Sequence, residues 1–538
     1  YVRAVVSRVT QNPRTHNLQL SFVGEDNQIQ TEEFHQVVLS VGMGIAPEIV
    51  DLAQKLKVEL SPNNFVEADC CTPVSTSQPG IFACGVFTGP KDIPDSVVEG
   101  SAAAVAAGRD LAAVRGTMQR EKSFPPEVDV SAEPPRVGVF VCHCGMNIGG
   151  LADVPALVER ARTIPNVEYA QENLFTCSQD SQNQMVEMIK EHHLNRVVVA
   201  SCSPTTHGAM FQNMLREAGL NKYLFEMANI RNQCTWVHQA EPQKATEKCH
   251  DLIRMGIAKA RMLEPLKYLS VPVNKRALVI GGGMAGITSA LALADQGFEV
   301  HLVERLEHLG GNARKLHSTW RDEPVQAMVD GMVEKVDKHP KITVHFYAMV
   351  DEVSGSVGNF KSKLSTGQEI EHGIVIIAVG AEPLRPEGEY LYKQHPNVLL
   401  ALDLDRELAK RSPRVKQAQA VAFIQCVGSR IPERVYCNRV CCSHSVENAI
   451  RLKEMNPAME VYILYRDMRT YGERELLYAA AREKGVRFFR YAVDKPPKVE
   501  ALGDKLRIEF QDQDLLTPVE LNVDLLTLAT AIIPHQNA

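Results

Sequence analysis

The sequence predicts an α/β protein in which two dinucleotide-binding domains are joined to a smaller α/β domain, and three stretches carry that prediction. Residues 276–304 read as strand, glycine turn, helix and strand in direct succession. Residues 420–465 repeat the strand–helix–strand order without the glycines. Between residues 136 and 265, two apolar runs, 137–141 (VGVFV) and 196–200 (RVVVA), are followed closely by cysteines.

In the first stretch, residues 276–280 (RALVI) form a short apolar run of the kind that makes a buried parallel strand. Gly281, Gly283 and Gly286 fill the G-x-G-x-x-G pattern, with Met284 and Ala285 between the last two. Glycine there permits a tight turn and lets the backbone approach a pyrophosphate, whose charge is favoured by the unpaired N–H groups of the helix start. Residues 287–296 continue the helix, Gly297 stops it, and residues 299–303 (EVHLV) deliver Glu304 at the end of the second strand. A carboxylate about 20 residues past the first glycine is placed to accept hydrogen bonds from an adenosine ribose. Glu304, Arg305, Gly310 and Gly311, followed by Asn312, match the ERxxxxGG continuation of flavoproteins, so FAD is favoured over NAD.

A length of 538 residues suits roughly three or four domains, and 45% hydrophobic with 23% charged residues is ordinary for a globular protein. The net charge of −7 offers no basic footprint for nucleic acid or an anionic membrane surface. No apolar run reaches the roughly 18 residues that would suggest a membrane span, and no signal peptide precedes the first strand, so a cytoplasmic location is expected. Tyr1 is not an initiator methionine, and the chain is expected to begin inside a longer polypeptide. Thirteen cysteines, an odd number that includes a CxC and a Cys-Cys pair, fit disulfides poorly and metal ligation better.

Taken in order, residues 1–115 read as the closing part of a flavin-binding unit. Residues 18–22 (LQLSF) and 36–41 (QVVLSV) read as strands. Residues 76–87 (TSQPGIFACGVF), with Gly85 in the turn, resemble a second flavin-contacting motif that leads the helix at 96–111 toward the isoalloxazine. The two ends of the chain also repeat each other. Ala4, Leu18, Leu20, Phe22, Val38, Val41 and Ile45 match Ala492, Leu506, Ile508, Phe510, Leu526, Ala529 and Ile533 at one constant offset. Two homologous units follow from that: residues 1–115 as the C-terminal part of a first, and the remainder as an incomplete second. The expected domains are a linker at 116–135, a small α/β iron–sulfur domain at 136–265 and an FAD-binding domain at 270–414. A degenerate second dinucleotide domain follows at 415–490, with a return to the FAD-binding domain at 491–538.

In the small domain, three strands, 137–141, 174–177 (LFTC) and 196–200, are each expected to deliver a cysteine near their carboxyl ends, where α/β sheets place ligands, and Cys142, Cys144, Cys177 and Cys202 make a set of four thiolates for an iron–sulfur cluster. Packed core cysteines are the plainer alternative, and Cys234 can stand in for any one of the four. Cys249 reads as a bystander, and His207 and His238 as structural groups. Residues 374–380 (IVIIAVG), ending at Gly380, are the strand and turn from which such chains depart into a second dinucleotide domain. That domain begins as expected, with residues 420–425 (AVAFIQ), a helix at 445–454 and residues 460–465 (EVYILY), but its glycine fingerprint is replaced. Cys426, Cys437, Cys441 and Cys442 stand there in C-x10-C-x3-C-C spacing, with Arg430, Arg434 and Arg439 among them. Four soft thiolates near a helix N-terminus suit a 4Fe–4S cluster, with tetrahedral zinc or unligated thiols as the alternatives; adjacent ligands are unusual for zinc.

The segments VCHCGMNIGG, LFTCSQDSQNQM, VVVASCSPTTHGAMF, FEMANIRNQCTWVH, FIQCVGSR and YCNRVCCSHSVENAI, together with GGGMAG, resemble the FAD-containing A-type subunits of the cytosolic heterodisulfide reductase of methanogens and many anaerobic bacteria. The resemblance spans most of 136–538 and, as a closing segment, residues 36–110. It implies a thioredoxin-reductase-like flavoprotein carrying FAD and 4Fe–4S clusters, two of them in this chain. It also implies an oxidoreductase that passes electrons, in some complexes dividing an electron pair between a high-potential and a low-potential acceptor. Implied partners are heterodisulfide reductase B and C subunits with a hydrogenase, formate dehydrogenase or similar donor, in a large hetero-oligomer. No catalytic acid, base or nucleophile is implied. Family members commonly insert a ferredoxin domain between the fingerprint and the IVIIAVG strand, whereas residues 311–371 here hold no cysteine. A non-bifurcating relay or scaffold subunit of another reductase, such as an aromatic-ring reductase, is the alternative.

Overall fold

Aliphatic and β-branched runs become strands buried on both faces only where helices cover both sides of a sheet, and this chain builds that arrangement more than once. A computed structural model describes every residue except Tyr1, Arg3, Glu25, Asp26, Glu121, Tyr268 and 536–538. The chain divides into two compact units, Tyr1–Arg115 with Pro272–Ala538, and Gly116–Val271.

The first unit opens with an antiparallel meander of β1 (Val5–Gln11), β2 (Leu18–Val23) and β3 (Ile29–Phe34). The strand expected at 36–41 does not form; those residues are irregular and mostly exposed, because no neighbouring strand offers them backbone partners. Helix α1 (Pro47–Lys55) and α2 (Ile93–Asp110) follow, with a small core of Ala53, Val58, Val66 and Ala83. Helix α2 starts three residues earlier than the sequence suggests, because Asp92 caps it by accepting a hydrogen bond from the Asp95 N–H, with Pro94 in its first turn.

In the second unit, β4 (Val137–Cys142), α3 (Val154–Arg162), β5 (Val167–Asn173), α4 (Gln179–Glu191), β6 (Arg196–Ser201), α5 (Pro204–Glu217), β7 (Phe225–Asn229) and α6 (Pro242–Ala260) alternate along the chain. They form a parallel sheet in the order β5-β4-β6-β7. Val137, Val139 and Val141 pack with α3 and α6 on one face. Phe140, Val197 and Val199 pack with α4 and α5 on the other. Residues 174–177 are a turn after β5 and not a strand. The stretch read as a linker belongs to this unit, with Val130 buried in its core and the Glu127 carboxylate accepting from Asn221 Nδ2 at 2.9 Å.

The remainder of the first unit carries the fingerprint. A parallel sheet in the order β10-β9-β8-β14 is built from β8 (Ala277–Ile280), β9 (Val300–Val303), β10 (Ile342–His345) and β14 (Ile374–Ile377). Helices α7 (Met284–Ala294) and α8 (Val325–Lys338) connect its strands, and β11 (Val350–Ser356), β12 (Asn359–Leu364) and β13 (Glu369–His372) form a side sheet. A short pair follows, β15 (Glu382–Pro383) with β24 (Ile532–Ile533). The second sheet, in the order β16-β23-β17-β18-β19, comprises β16 (Val398–Leu400), β17 (Ala420–Val427), β18 (Glu460–Tyr465), β19 (Arg487–Arg490) and β23 (Leu525–Thr530). Helices α9 (Ala401–Ala409), α10 (Pro413–Gln417), α11 (Cys441–Met455) and α12 (Glu475–Glu483) accompany it.

Two expected boundaries move. β16 and α9 lie on the second sheet's side of the 414/415 boundary, since β16 hydrogen-bonds β23. Residues 491–530, read as a return to the FAD-binding domain, instead complete the second one. The meander β20 (Lys498–Leu502), β21 (Lys505–Gln511) and β22 (Pro518–Val523) buries Leu506, Ile508, Phe510 and Val523 in one core with Ile424 and Leu528. The apolar alternation of β21 makes this possible, since Leu506, Ile508 and Phe510 all lie on the face that packs on the second sheet.

His372 of the flavin-type domain is buried and His301 and His345 are half-buried, and loss of solvent holds all three below their ordinary value. His372 donates from Nδ1 to the Ile374 carbonyl at 3.1 Å and accepts at Nε2 from the Ser362 hydroxyl at 2.8 Å. With folded-state values depressed, the unfolded chain binds protons first, so their contribution to stability is lost as pH falls through about 6.5. Thermal denaturation is expected to show a falling midpoint between about pH 7 and pH 5.5, with a shallower fall in His372→Gln. An unchanged midpoint over that range would contradict the assignment.

Candidate functional site

The glycine turn is shaped by what surrounds it. Gly281 has φ +106°, and a Cβ there would lie 2.4 Å from the Ala378 carbonyl oxygen, while a Cβ on Gly286 would lie 1.8 Å from the Gly281 carbonyl oxygen. Only glycine lets α7 approach β8 this closely. Gly283 is different, with nothing within 4 Å of an added Cβ. It is the N-cap of α7 and supplies no side-chain cap, so Met284 and Ala285 begin the helix with N–H groups open to a ligand.

Glu304 stands at the end of β9 as expected, and is buried. Its carboxylate accepts from the Gly282 N–H at 2.7 Å and from the Leu306 N–H at 2.9 Å. A carboxylate has further lone pairs for a ribose. Gly310 and Gly311 have left-handed backbones, and the Gly310 N–H donates to the Gly282 carbonyl at 2.7 Å, closing the cradle from its other side. Asn312 Nδ2 donates to the Ala381 carbonyl at 2.7 Å, next to Gly380, and Arg305 reaches His535. An uncapped helix start, an open glycine and a buried acid are what a dinucleotide requires, so these residues fit FAD. On the side of the closing segment, the Gly85 N–H and the Thr88 hydroxyl both donate to Glu99 of α2, which also pairs with Lys91.

The cysteine turn begins with a distortion. Cys426 has φ +60°, and the β17–β23 register slips between Ile424 and Val427, a bulge that turns the thiol away from regular strand alternation. Arg430 and Arg439 are also left-handed, and such residues cost about 1–3 kcal/mol each. Helix α11 starts four residues earlier than expected, which puts Cys441 and Cys442 in its first turn, with no side-chain cap at Val440. The four thiols influence one another. The hydrogen bond to Cys442 and burial push the Cys441 thiol up, and the charges of Cys426 and Cys437 add to this. Cys442 is drawn down to about 7 by the Cys441 thiol, helped by Arg469 and Arg430. Burial raises Cys426, with Arg430 and Arg466 opposing.

Donors wait around this turn without partners. The buried Arg430 Nη1, Arg466 Nε and Ser443 Oγ make no hydrogen bond, although Arg466 Nη1 donates to the Ser429 and Arg430 carbonyls and Arg430 pairs with Asp467. Unpaired buried donors beside four thiols fit an anionic sulfur cluster. Among the described residues, no three His, Cys, Asp or Glu side chains converge as a single metal ion needs, and the thiols are not paired in disulfides. A cavity of about 560 Å³ lies between the closing segment and the cysteine turn. Thr88, Lys91 and Glu99 of the closing segment line it on one side, and Asn438, Arg439 and Val440, the three residues between Cys437 and Cys441, line it on the other.

In the Gly116–Val271 unit, Cys142 ends β4, Cys144 follows it, Cys177 lies in the turn after β5 and Cys202 lies just after β6. Cys142 is near enough to each of the other three for its charge to be felt, although no three of them converge on a single point. Burial raises Cys144, Cys177 and Cys202, and each also feels the charge of Cys142. Cys234 does not join them. Its sulfur lies 3.4 Å from that of Cys249, both fully buried in the core. Arg231, which the sequence did not single out, faces the set, since its charge lowers Cys144, Cys177 and Cys202. It lies in a π-turn after β7 with its guanidinium 4.7 Å from the Trp236 ring centre. The only sequence signal was its place two residues beyond a strand end. The Ser201 hydroxyl and Asn173 Oδ1, both buried, lack partners here.

Residues 242–390 match the family model described as Pyridine nucleotide-disulphide oxidoreductase. An A-type iron–sulfur subunit of the CoB–CoM heterodisulfide reductase of Methanopyrus kandleri, the one numbered 2, is 34% identical over 507 residues, 76% of this chain and 77% of that protein. The A-type subunit of the H2:CoB–CoM heterodisulfide,ferredoxin reductase of Methanothermobacter thermautotrophicus is 35% identical over 503 residues, covering 76% of each. Among solved structures, T. acidophilum thioredoxin reductase covers 49% of this chain and 79% of its own at 14% identity, with a TM-score of 0.36, too low to bear on function. No helix among the described residues is long and apolar enough to cross a membrane. With a dinucleotide cradle in place and identity above 30% across three quarters of its length, the chain belongs to the family of heterodisulfide reductase A-type subunits, which are oxidoreductases.

Proposed function

We propose that the chain is an FAD- and 4Fe–4S-containing electron-transfer subunit of a heterodisulfide-reductase-like complex in the cytoplasm. The observation that supports this most is the shared cavity, with the flavin-type closing segment on one wall and the residues between Cys437 and Cys441 on the other. FAD, held by Gly281, Gly283, Met284, Ala285, Gly286, Glu304 and Gly311, with Gly85 and Gly380 beside it, supplies exchange between two-electron and one-electron carriers.

The chain's own residues then have assignable work. The α7 N–H groups and Glu304 fix the nucleotide end, while Glu99 holds the Gly85 turn against α2. Cys426, Cys437, Cys441 and Cys442 would hold one cluster, with Arg430 and Arg466 offsetting its negative charge and donating to its sulfurs. Cys142, Cys144, Cys177 and Cys202 would hold a second, with Arg231 as the counter-charge. The partners that suit this role are B- and C-type subunits and a hydrogenase, formate dehydrogenase or similar donor. The relatives' names mention H2, ferredoxin and F420H2.

Flavin-based bifurcation is a special case of this role. A second reading, a plain electron relay, is favoured by residues 311–371, which hold no cysteine for a ferredoxin-type insert. Redox titration separates the two: crossed one-electron flavin potentials mark bifurcation, and ordinary, uncrossed potentials mark a relay.

Prepared without oxygen, the protein is expected to carry FAD and about eight iron atoms per chain, from two four-iron clusters. A folded, colourless, iron-free protein would sink the proposal. Cys437→Ser is expected to remove about four of those irons while FAD stays bound, and Cys234→Ser to remove none. Equal iron loss from both variants would show that the thiol sets are wrongly drawn.

A further inference from the structure

The seam between the two dinucleotide-type domains is crossed by one loop that two acids hold. Residues 316–321 follow the Gly310–Gly311 turn and precede α8, outside any helix or named strand. Two consecutive residues of this loop reach the second domain. The His317 N–H donates to Asp405 Oδ2 of α9 at 3.0 Å, and the Ser318 hydroxyl donates to Glu447 Oε1 of α11 at 2.7 Å. Three residues on, Arg321 Nη2 donates to Glu473 Oε2 at 2.9 Å. Trp320 and Arg321 of the same loop line the cavity of about 560 Å³, together with Asn438, Arg439 and Val440 of the cysteine turn.

Both acids stand where acids are costly. Asp405 is 1% exposed, between Leu404 and Leu408 of the apolar core, and a carboxylate so far from water is tolerated only with partners. Its other oxygen accepts from Arg451 Nη1 at 3.0 Å, and His444 Nε2 lies 3.8 Å from that same oxygen. Glu447 is half-buried, and burial pushes its carboxyl up, with the Ser318 bond and the charges of His444 and Arg451 opposing and that of Asp405 adding. His444, Glu447 and Arg451 recur at i, i+3 and i+7, so one face of α11 makes the contact. The same helix carries Cys441 and Cys442 in its first turn.

An apolar seam would bury the same surface and yet let the domains slide, since hydrophobic contact is non-directional. A carboxylate that accepts from a defined N–H or O–H selects one registry, the best attested use of buried polar groups. Bonds from two adjacent residues to acids on two separate helices over-determine where the loop lies.

We propose that Asp405 and Glu447 are positioning residues for electron transfer, clamping the loop 316–321 of the flavin-type domain to α9 and α11 so that the flavin seat and the cysteine turn keep one separation. Resting on the electron-carrying role proposed above, this gives the two acids no part in binding either cofactor. Electron passage between two centres falls steeply with their separation, so a loosened seam slows it while leaving each centre intact. Glu447 acts as a hydrogen-bond acceptor and not through its charge.

The test uses the full chain prepared without oxygen, with FAD and iron counted first. Ser318→Ala and Glu447→Leu are expected to keep both cofactors and to speed hydrogen exchange of the 317–321 amides roughly tenfold. In both, electron passage from photoreduced flavin to the cluster of the cysteine turn is expected to slow roughly tenfold or more, with the midpoint potentials of both centres unchanged. Unchanged potentials separate altered spacing from altered driving force. Glu447→Gln, whose side-chain carbonyl still accepts from Ser318, is expected to behave as the parent chain does. Exchange of 420–427 reports whether each variant is folded, and Ser318→Ala, which removes one oxygen atom, carries the test if Glu447→Leu is not. A transfer rate unaltered in the folded variants, or a loss as large in Glu447→Gln as in Glu447→Leu, would overturn the proposal. A parent chain without FAD or iron would instead refute the electron-carrying role itself, and the positioning role with it.

Discussion

Gathering thiols in a low-dielectric turn is electrostatically expensive, and much of the second dinucleotide-type domain is arranged to meet that cost. A regular β17 would alternate its side chains between two apolar layers; the bulge at Cys426 breaks that alternation at the strand's carboxyl end. The first turn of α11 brings two more thiols and unpaired N–H groups. Arg430 and Arg466 are tethered by backbone carbonyls and Asp467, yet each keeps an unused donor. The strand-to-helix crevice that elsewhere accepts a pyrophosphate here presents four thiols beside a helix start and cations, a setting whose electrostatics favour an anion.

The smaller unit also brings cysteines to a crevice, from different parts. Its sheet has four parallel strands with helices on both faces, and its cysteines emerge at the carboxyl ends, where such sheets leave a crevice. Arg231 comes from the loop after the last strand, and the aromatic face of Trp236 positions its guanidinium. Cys234 and Cys249 show the other use of the residue, as small apolar groups filling a core.

Much of this was legible in the sequence, and the limits are instructive. The βαβ unit from β8 to β9 was clear because strand, glycines, helix and acid each carry an independent signal. The four-cysteine turn was clear because its spacing interrupts an otherwise regular pattern. What the sequence hid were choices made by distant neighbours. Residues 36–41 have strand composition but no strand beside them. Residues 491–530 went to the second sheet, where Leu506, Ile508 and Phe510 pack on its face. The cap of α2 by Asp92 and the early start of α11 are local geometry that composition blurs by a few residues. Arg231 carried no motif, since its place beside the cysteines arises only once four strands lie side by side.

The hydrogen bonds from Gly282 and Leu306 to Glu304 bear on more than ribose recognition. They lock the glycine turn to the neighbouring strand end, so the loop's ordering is settled during folding and not at the moment of encounter. An incoming nucleotide then has little conformational freedom to remove. Such a rigid seat favours slow release, the property expected of a resident prosthetic group and not of a co-substrate that must leave after every turnover.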